Sequence, residues 1–258
     1  MSAGAAIASD EITEDAFLDG RVTLLQPKNG PRAGLDAVFL AATCPPGVAR
    51  VLDAGSGVGA VSMCAAWRAV NAQVTGVEID PLLAGIFRQN AAANGFGERV
   101  SIIEGDLTQA FSVLEGRGLR ANAFDHVLSN PPFFTAGKVR TPRNPVTGRA
   151  HVAAPLAMDA WFKFFASCCA PKGVLTLIHL AQSLPELLKA AEGRFGGLKV
   201  FPLFPRDGEA AIRILLRGEK GSRAPLSIQR GMILHGPDGA FTPEAKAILR
   251  DGAPLLIA

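Results

Sequence analysis

The sequence predicts an α/β fold: a mostly parallel sheet with helices on both faces and an antiparallel hairpin at its C-terminal end. Three observations predict it. From about Arg50 to His179, short β-type runs alternate with helical stretches, and strands separated by helices are joined by crossovers that leave them parallel. A glycine-rich turn, Gly55-Ser56-Gly57-Val58-Gly59, follows the first run. Beyond Arg194 the alternation stops. Two β-type runs, Lys199 to Leu203 and Ala211 to Leu216, there flank Pro-Arg-Asp-Gly, the composition of a hairpin turn.

Residues 1–12 are expected to form a disordered tail and 13–258 a single domain. Val51-Leu52-Asp53 reads as the first strand and Val58 to Val70 as the helix after it. Gln73 to Ile79, with Val74, Val77 and Ile79, is the second strand. A helix from Pro81 to Asn94 follows, with Asp80 as its N-cap. Pro81 suits the first helical turn, where its missing N–H is harmless, and Asn94-Gly95 supplies the stop. Arg99 to Glu104 and Phe124 to Ser129 are the third and fourth strands. A helix over Leu156 to Ala170 precedes the fifth, Val174 to Leu180. A helix over Leu187 to Glu192 leads to the hairpin, expected on the edge of the same sheet. Leu226 to Leu234 reads as one more short strand. After a Gly-Pro-Asp-Gly turn, a last helix is capped by Thr242, with Pro243 at its first position.

With 48% hydrophobic and 19% charged residues among 258, the chain has a real core and no low-complexity bias. No apolar run is long enough for a membrane-spanning helix, and the N-terminus lacks the basic start and apolar stretch of a secretory signal. Cys44, Cys64, Cys168 and Cys169 show no C-x-x-C spacing. Neither a disulfide framework nor a metal site is expected, and the cytoplasm is the default compartment. Net charge is only +3, but it is unevenly spread. Residues 134–155 carry Lys138, Arg140, Arg143 and Arg149 with no acid, and 194–230 carry eight bases against three acids. Such stretches suit a phosphate-rich partner, although a charge run is also how a solvated face reads.

The chemistry begins at Asp53-Ala54-Gly55-Ser56-Gly57-Val58-Gly59, between a strand and a helix. Glycines let the backbone approach a ligand, and a helix start favours an anionic group, so a nucleotide-type ligand is expected at the carboxyl ends of the strands. The G-x-G-x-x-G of dinucleotide folds is not met, because Ala60 follows Gly59. Glu78, at the end of the second strand and 25 residues beyond Asp53, could accept both hydroxyls of a ribose. Asp106, after the third strand, could accept from an adenine amine. Either acid could instead be a helix cap or a surface charge.

Asn130-Pro131-Pro132-Phe133 follows the fourth strand directly. Two prolines stiffen the chain and forbid helix, which holds the Asn130 side-chain oxygen and the Pro131 carbonyl in a fixed arrangement. Two acceptors gripping the N–H groups of a planar exocyclic amine favour a pyramidal nitrogen and stabilise positive charge as it develops. Phe133 offers a face for stacking a planar group. An Asn-Pro turn with a core Phe is the structural alternative. His126 and His151 could be nominated as bases, but an amine can shed its proton after attack.

These residues resemble the class I S-adenosylmethionine-dependent methyltransferases that carry (N/D)PP(Y/F/W), and most of all the bacterial adenine-N6 methyltransferases acting on tRNA-Val. Further cues are Thr13-Glu14-Asp15-Ala16-Phe17-Leu18 with Arg21 and Gln26, then Arg32-Ala33-Gly34-Leu35-Asp36-Ala37, and Phe241-Thr242-Pro243. The resemblance implies a Rossmann-like seven-stranded methyltransferase sheet with S-adenosylmethionine as cofactor. It places Asp53, Gly55, Gly57 and Gly59 at the methionyl end, Glu78 on the ribose, and Asp106 with Leu107 on the adenine. Residues 13–48 would cover the cofactor, with Asp36 as a helix-start ligand. Arg32 could pair with a neighbouring carboxylate or with substrate. Asn130, Pro131 and Phe133 would be catalytic. The chain has no tyrosine, so stacking at Phe133 would act without a phenolic hydroxyl.

The implied reaction is methyl transfer to an exocyclic amine, adenine N6 in tRNA, with no metal. An RNA base must be unstacked to reach Phe133, and Arg140, Arg143 and Arg149 in the glycine- and proline-rich loop that follows are candidates for flanking phosphates. N5-methylation of a protein glutamine and methylation of another RNA base amine are the neighbouring alternatives. A non-catalytic nucleotide-binding module is the alternative from a different class.

Overall fold

The computed structural model describes residues 11–30, 32–132 and 154–257. The N-terminal tail expected over 1–12 lies outside them as far as Asp10, as do Phe133, His151 and the cations of 138–149.

The chain opens on an antiparallel hairpin, β1 (Ile12–Phe17) and β2 (Val22–Pro27), which is not among the predicted strands. Its turn runs through Leu18, Asp19 and Gly20, all with positive φ. The central sheet is then laid down by β3 (Arg50–Ala54), β4 (Gln73–Glu78), β5 (Val100–Glu104), β6 (Phe124–Ser129), β7 (Cys169–Leu180), β8 (Phe195–Phe204) and β9 (Arg213–Lys220). Their spatial order is β8-β9-β7-β6-β3-β4-β5. The five strands from β7 to β5 are parallel, and β9 is antiparallel to both neighbours. This is the predicted mostly parallel Rossmann-like sheet with its antiparallel C-terminal end.

Strand order reverses at β3. The chain proceeds from β3 outward through β4 and β5, then returns to place β6 on the other flank of β3. Open α/β sheets bind ligands at such a reversal, beyond the carboxyl ends of the strands, because the loops there diverge and leave a crevice.

Helices cover both faces. On one face α1 (Leu35–Ala42), α2 (Ala60–Arg68), α3 (Pro81–Ala93) and α7 (Pro243–Leu249) enclose Phe39, Leu40, Met63 and Phe87. On the other, α4 (Phe111–Glu115), α5 (Ala154–Cys168) and α6 (Leu184–Ala191) bury Leu114, Phe162, Phe165 and Leu187. The expected caps are in place: Asp80 accepts from the Leu82 N–H at 2.8 Å, and Thr242 from that of Ala245 at 3.2 Å, each with proline next.

Three local expectations need correction. The last strand predicted over Leu226 to Leu234 is two, β10 (Ser227–Ile228) and β11 (Met232–Ile233), both parallel to β8. Pro202 of β8 has no N–H to donate to them, and Gly231, at φ +77°, bulges past the Pro202 carbonyl, which a Cβ would meet at 2.4 Å. These strands flank β8, so the hairpin is not the bare edge of the sheet. The fifth strand, β7, starts five residues early at Cys169 and carries a register shift opposite Phe124/His126. No helix among the described residues is long and apolar enough to cross a membrane.

Candidate functional site

The carboxyl ends of β3 and β6 are locked together. Ala54 pairs with Ser129, whose Oγ donates to the Ala54 carbonyl at 2.8 Å. The residues that follow, Gly55 and Asn130, therefore leave the sheet side by side at the switch point. Asn130 is half-buried, Pro131 buried and Pro132 exposed. The turn leaves the sheet at the carboxyl ends of the strands, with Asn130 partly open to solvent.

The glycine loop is shaped from below. Asp53 is only 1% exposed. Its Oδ2 accepts from the Ser62 N–H at 3.0 Å and the Ser62 hydroxyl at 2.7 Å, which ties the first turn of α2 to the end of β3. Burial is the main cause that pushes its carboxyl up to about 7, against the Ser62 hydrogen bonds, with the Glu78 charge adding a smaller upward push. Gly55 packs under Trp161 of α5, and Gly59 lies against the Phe87 ring. Gly57 differs: its φ is +54°, and a Cβ there would meet nothing within 4 Å. It is the glycine that faces open space.

Glu78 ends β4 beside that loop. Its Oε2 accepts from the Gly57 N–H at 2.8 Å, and its Oε1 from the Asp80 N–H at 2.9 Å. Burial raises its pKa, and those backbone donors oppose the rise. With the Ile79 backbone as a third donor, the four acceptor sites of the carboxylate leave room for a further donor. Asp106, one loop further along, is half-buried and accepts from the Thr108 N–H and hydroxyl at 2.8 and 2.6 Å, both through Oδ1. Leu107 is buried in the lower core cluster. Open space at Gly57, a carboxylate hydrogen-bonded to its amide and a second carboxylate after β5 fit a nucleoside whose polar edge lies along the strand ends.

The N-terminal segment is held by its own polar cluster. Arg32 pairs with Asp15 and donates to Thr13 Oγ1 at 2.7 Å. The buried Gln26 donates to Asp15 and accepts from the Ala33 N–H at 2.8 Å. Of the two alternatives for Arg32, the structure thus has it with a neighbouring carboxylate. Asp36, in the first turn of α1, accepts from Arg213 Nε at 3.0 Å. Arg213 opens β9 opposite Leu180, at the same end of the strands as Asn130.

His126 is fully buried, bonded to Thr176 Oγ1 at 2.8 Å, and pushed down to about 3 by burial and by Arg217. It lies three residues inside the sheet and serves packing. His179 is 2% exposed on β7, and sequence reasoning did not single it out. Burial lowers its pKa, the adjacent Leu180 and Pro132 backbone groups oppose that, and the Arg213 charge adds a smaller downward push.

In the second basic stretch some cations are tied to partners and others stay exposed. Arg194 pairs with Asp159 at 2.8 Å, and Lys220 donates to the Asn122 side chain at 2.6 Å and the Cys169 carbonyl at 2.8 Å. An open groove of about 690 Å³ between the β8–β9 turn and α7 holds Arg206 and Arg230, but Glu209 and Glu244 stand 3.5 and 3.6 Å from them.

Residues 36–144 match the methyltransferase small domain family. A tRNA1(Val) (adenine(37)-N6)-methyltransferase of Porphyromonas gingivalis is 31% identical over 241 residues, covering 89% of this chain and 91% of that protein. The protein of that name from Shewanella amazonensis is 28% identical, with 86% and 91% covered. Among solved structures, an Agrobacterium tumefaciens protein described as a predicted O-methyltransferase superposes with a TM-score of 0.71 at 29% identity, over 86% of this chain and 98% of that one. A Thermotoga maritima S-adenosylmethionine-dependent O-methyltransferase shares the fold at a TM-score of 0.54 and 16% identity, covering 76% and 69%. The strand order, the crevice at β3 and β6 and these likenesses converge: the chain belongs to the S-adenosylmethionine-dependent N-methyltransferase family that includes the tRNA1(Val) (adenine(37)-N6)-methyltransferases.

Proposed function

We propose that the chain methylates the exocyclic N6 amine of an adenine in tRNA, and that the Asn130-Pro131-Pro132 turn is where the amine is held. The observation that carries this reading is the position of Asn130, beside the glycine loop at the switch point and partly open to solvent. In the proposed arrangement Gly57 lets its backbone approach the methionyl part of S-adenosylmethionine, and Glu78 accepts from the ribose hydroxyls while holding the loop. Asp106 accepts from the adenine amine through Oδ2, with Leu107 under the ring. Asp53 acts through the loop, by fixing the start of α2. Asp36 acts through Arg213, and the 32–36 segment closes over the crevice from the N-terminal hairpin.

S-adenosylmethionine supplies a methyl group already activated by its sulfonium charge. What remains for the protein is alignment and electrostatics. Asn130 Oδ1 and the Pro131 carbonyl accept the two N–H groups of the acceptor amine and stabilise the positive charge that develops on nitrogen. Phe133 stacks on the base. Arg140, Arg143 and Arg149 contact phosphates on either side of it. Support for tRNA as substrate comes from the two relatives named for that activity.

Asn130→Ala tests the reading. It is expected to bind S-adenosylhomocysteine within about twofold of wild type by calorimetry while methyl transfer falls about 100-fold or more, the scale of losing one positioned transition-state group. Full turnover by the variant removes the assigned role. Nucleoside mass spectrometry of tRNA from cells lacking the gene should show N6-methyladenosine missing, and unchanged nucleosides would point to a different acceptor.

A further inference from the structure

The acceptor turn has a supply problem. Pro131 and Pro132 carry no N–H, so the segment can accept hydrogen bonds but cannot anchor itself by donating them. A turn that must hold an amine at a fixed angle needs donors from outside. The register supplies one: β6 and β7 pair Ser129 with Leu177, and continuing it two residues brings Pro131 level with His179. His179 is buried there, its ring against the Pro132 and Leu180 backbone. A neutral imidazole has one N–H to donate and one lone pair to accept with.

We propose that His179 is a positioning residue for the acceptor turn, donating its ring N–H to the Pro132 carbonyl and so fixing the direction in which Asn130 and the Pro131 carbonyl point. The inference rests on the reading of Asn130-Pro131-Pro132 as the amine-holding turn. His179 touches neither the amine nor the methyl donor. Asp36 and Arg213 help at the same strand end. Arg213 begins β9 next to Leu180, its guanidinium is tied to Asp36, and its charge adds a small push to the burial that lowers the His179 pKa.

The test compares His179→Ala, His179→Gln and His179→Asn with Asn130→Ala and with His126→Gln, which alters a buried histidine on the neighbouring strand. Two quantities are measured: amide exchange in the peptide spanning Leu128 to Phe134, and methyl transfer to RNA from a strain lacking the gene. His179→Ala is expected to speed that exchange about tenfold and lower kcat about tenfold or more. KM for S-adenosylmethionine should stay within about twofold. One of the two amide variants, which keep an N–H in the space of the ring, should recover most of the rate, and His126→Gln should change melting temperature alone. Unchanged exchange in His179→Ala, or the same exchange and rate losses in His126→Gln, overturns the proposal. Should His179→Ala fail to fold, the amide variants decide: wild-type-like turnover in one supports the contact, and losses in both matching Asn130→Ala overturn it. Faster exchange in His179→Ala beside full turnover by Asn130→Ala would leave the contact standing and remove the acceptor reading instead.

Discussion

Gly57 and Gly59 are two residues apart and both have positive φ, yet different forces make them glycine. At Gly59 the obstacle is packing: a Cβ would lie 2.6 Å from Phe87 Cδ2 and 3.0 Å from Met63 Cε. At Gly57 only the backbone conformation and the open crevice resist a side chain. Gly59→Ala should therefore cost about 2 to 4 kcal/mol of stability, left-handed strain and overpacking together. Gly57→Ala should cost about 1 to 2 kcal/mol but weaken S-adenosylhomocysteine binding far more than its stability loss explains. Denaturant midpoints and calorimetry separate the two. Phe87→Leu should relieve Gly59→Ala and leave Gly57→Ala as it was; equal relief of both would contradict the division. Asp53 adds a pH dependence. Its native pKa, about 7, stands above the ordinary aspartate value of 3.8, so the folded state binds the extra proton between those values. Its contribution favours folding below about pH 4 and is lost as pH rises through about 7. Asp53→Asn, which keeps an acceptor for Ser62, should flatten the dependence of the urea midpoint on pH over that window. A midpoint that still varies as in wild type would place the titrating group elsewhere.

At the scale of elements, the N-terminal hairpin docks on α3 through two asparagines instead of through strand pairing. Asn90 accepts from the Leu25 N–H at 2.7 Å and donates to the Leu25 carbonyl at 3.1 Å and the Val58 carbonyl at 2.9 Å. One helical turn later, Asn94 accepts from the Thr23 N–H at 2.9 Å and donates to the Thr23 carbonyl at 2.7 Å. Side-chain amides thus satisfy the outer edge of β2, alternate residues of which meet successive turns of the helix because one turn of helix and two residues of strand advance by similar distances. Asn90 also joins the hairpin to the glycine loop. Asn90→Ala strands these backbone groups and should cost about 2 to 3 kcal/mol, with faster amide exchange at Leu25 than at β3; exchange changing equally throughout would mean global loosening instead. The two asparagines were visible at helical spacing, but nothing local says that a strand edge lies opposite. The helix stop at Asn94 was read correctly and its second task was not.

Across the whole molecule, charge in the sequence and charge on the surface differ. Three of the eight bases over 194–230, Arg194, Arg213 and Lys220, are each fastened to a partner in another element, while Arg206, Arg223 and Arg230 stay exposed. The loop cations Arg140, Arg143 and Arg149 remain the proposed RNA contacts. Reversing these three should weaken RNA binding and lower the slope of log affinity against log salt by about 2, with S-adenosylhomocysteine affinity intact. Lys220→Met should instead lower the melting temperature and leave the salt slope alone. A slope that follows Lys220 and ignores the loop would invert the assignment.

The order of helices and strands, their caps and the glycine turn were legible because each depends on neighbours in sequence: periodicity, a capping side chain, a proline with no N–H to lose. The meeting of Gly55 with Asn130, the His179 ring behind a turn that cannot anchor itself, and the ties of Arg194, Arg213 and Lys220 to other elements were not. Each depends on which strands pair and in what register, and that is decided by long-range burial of two apolar faces, to which residues more than seventy positions apart contribute.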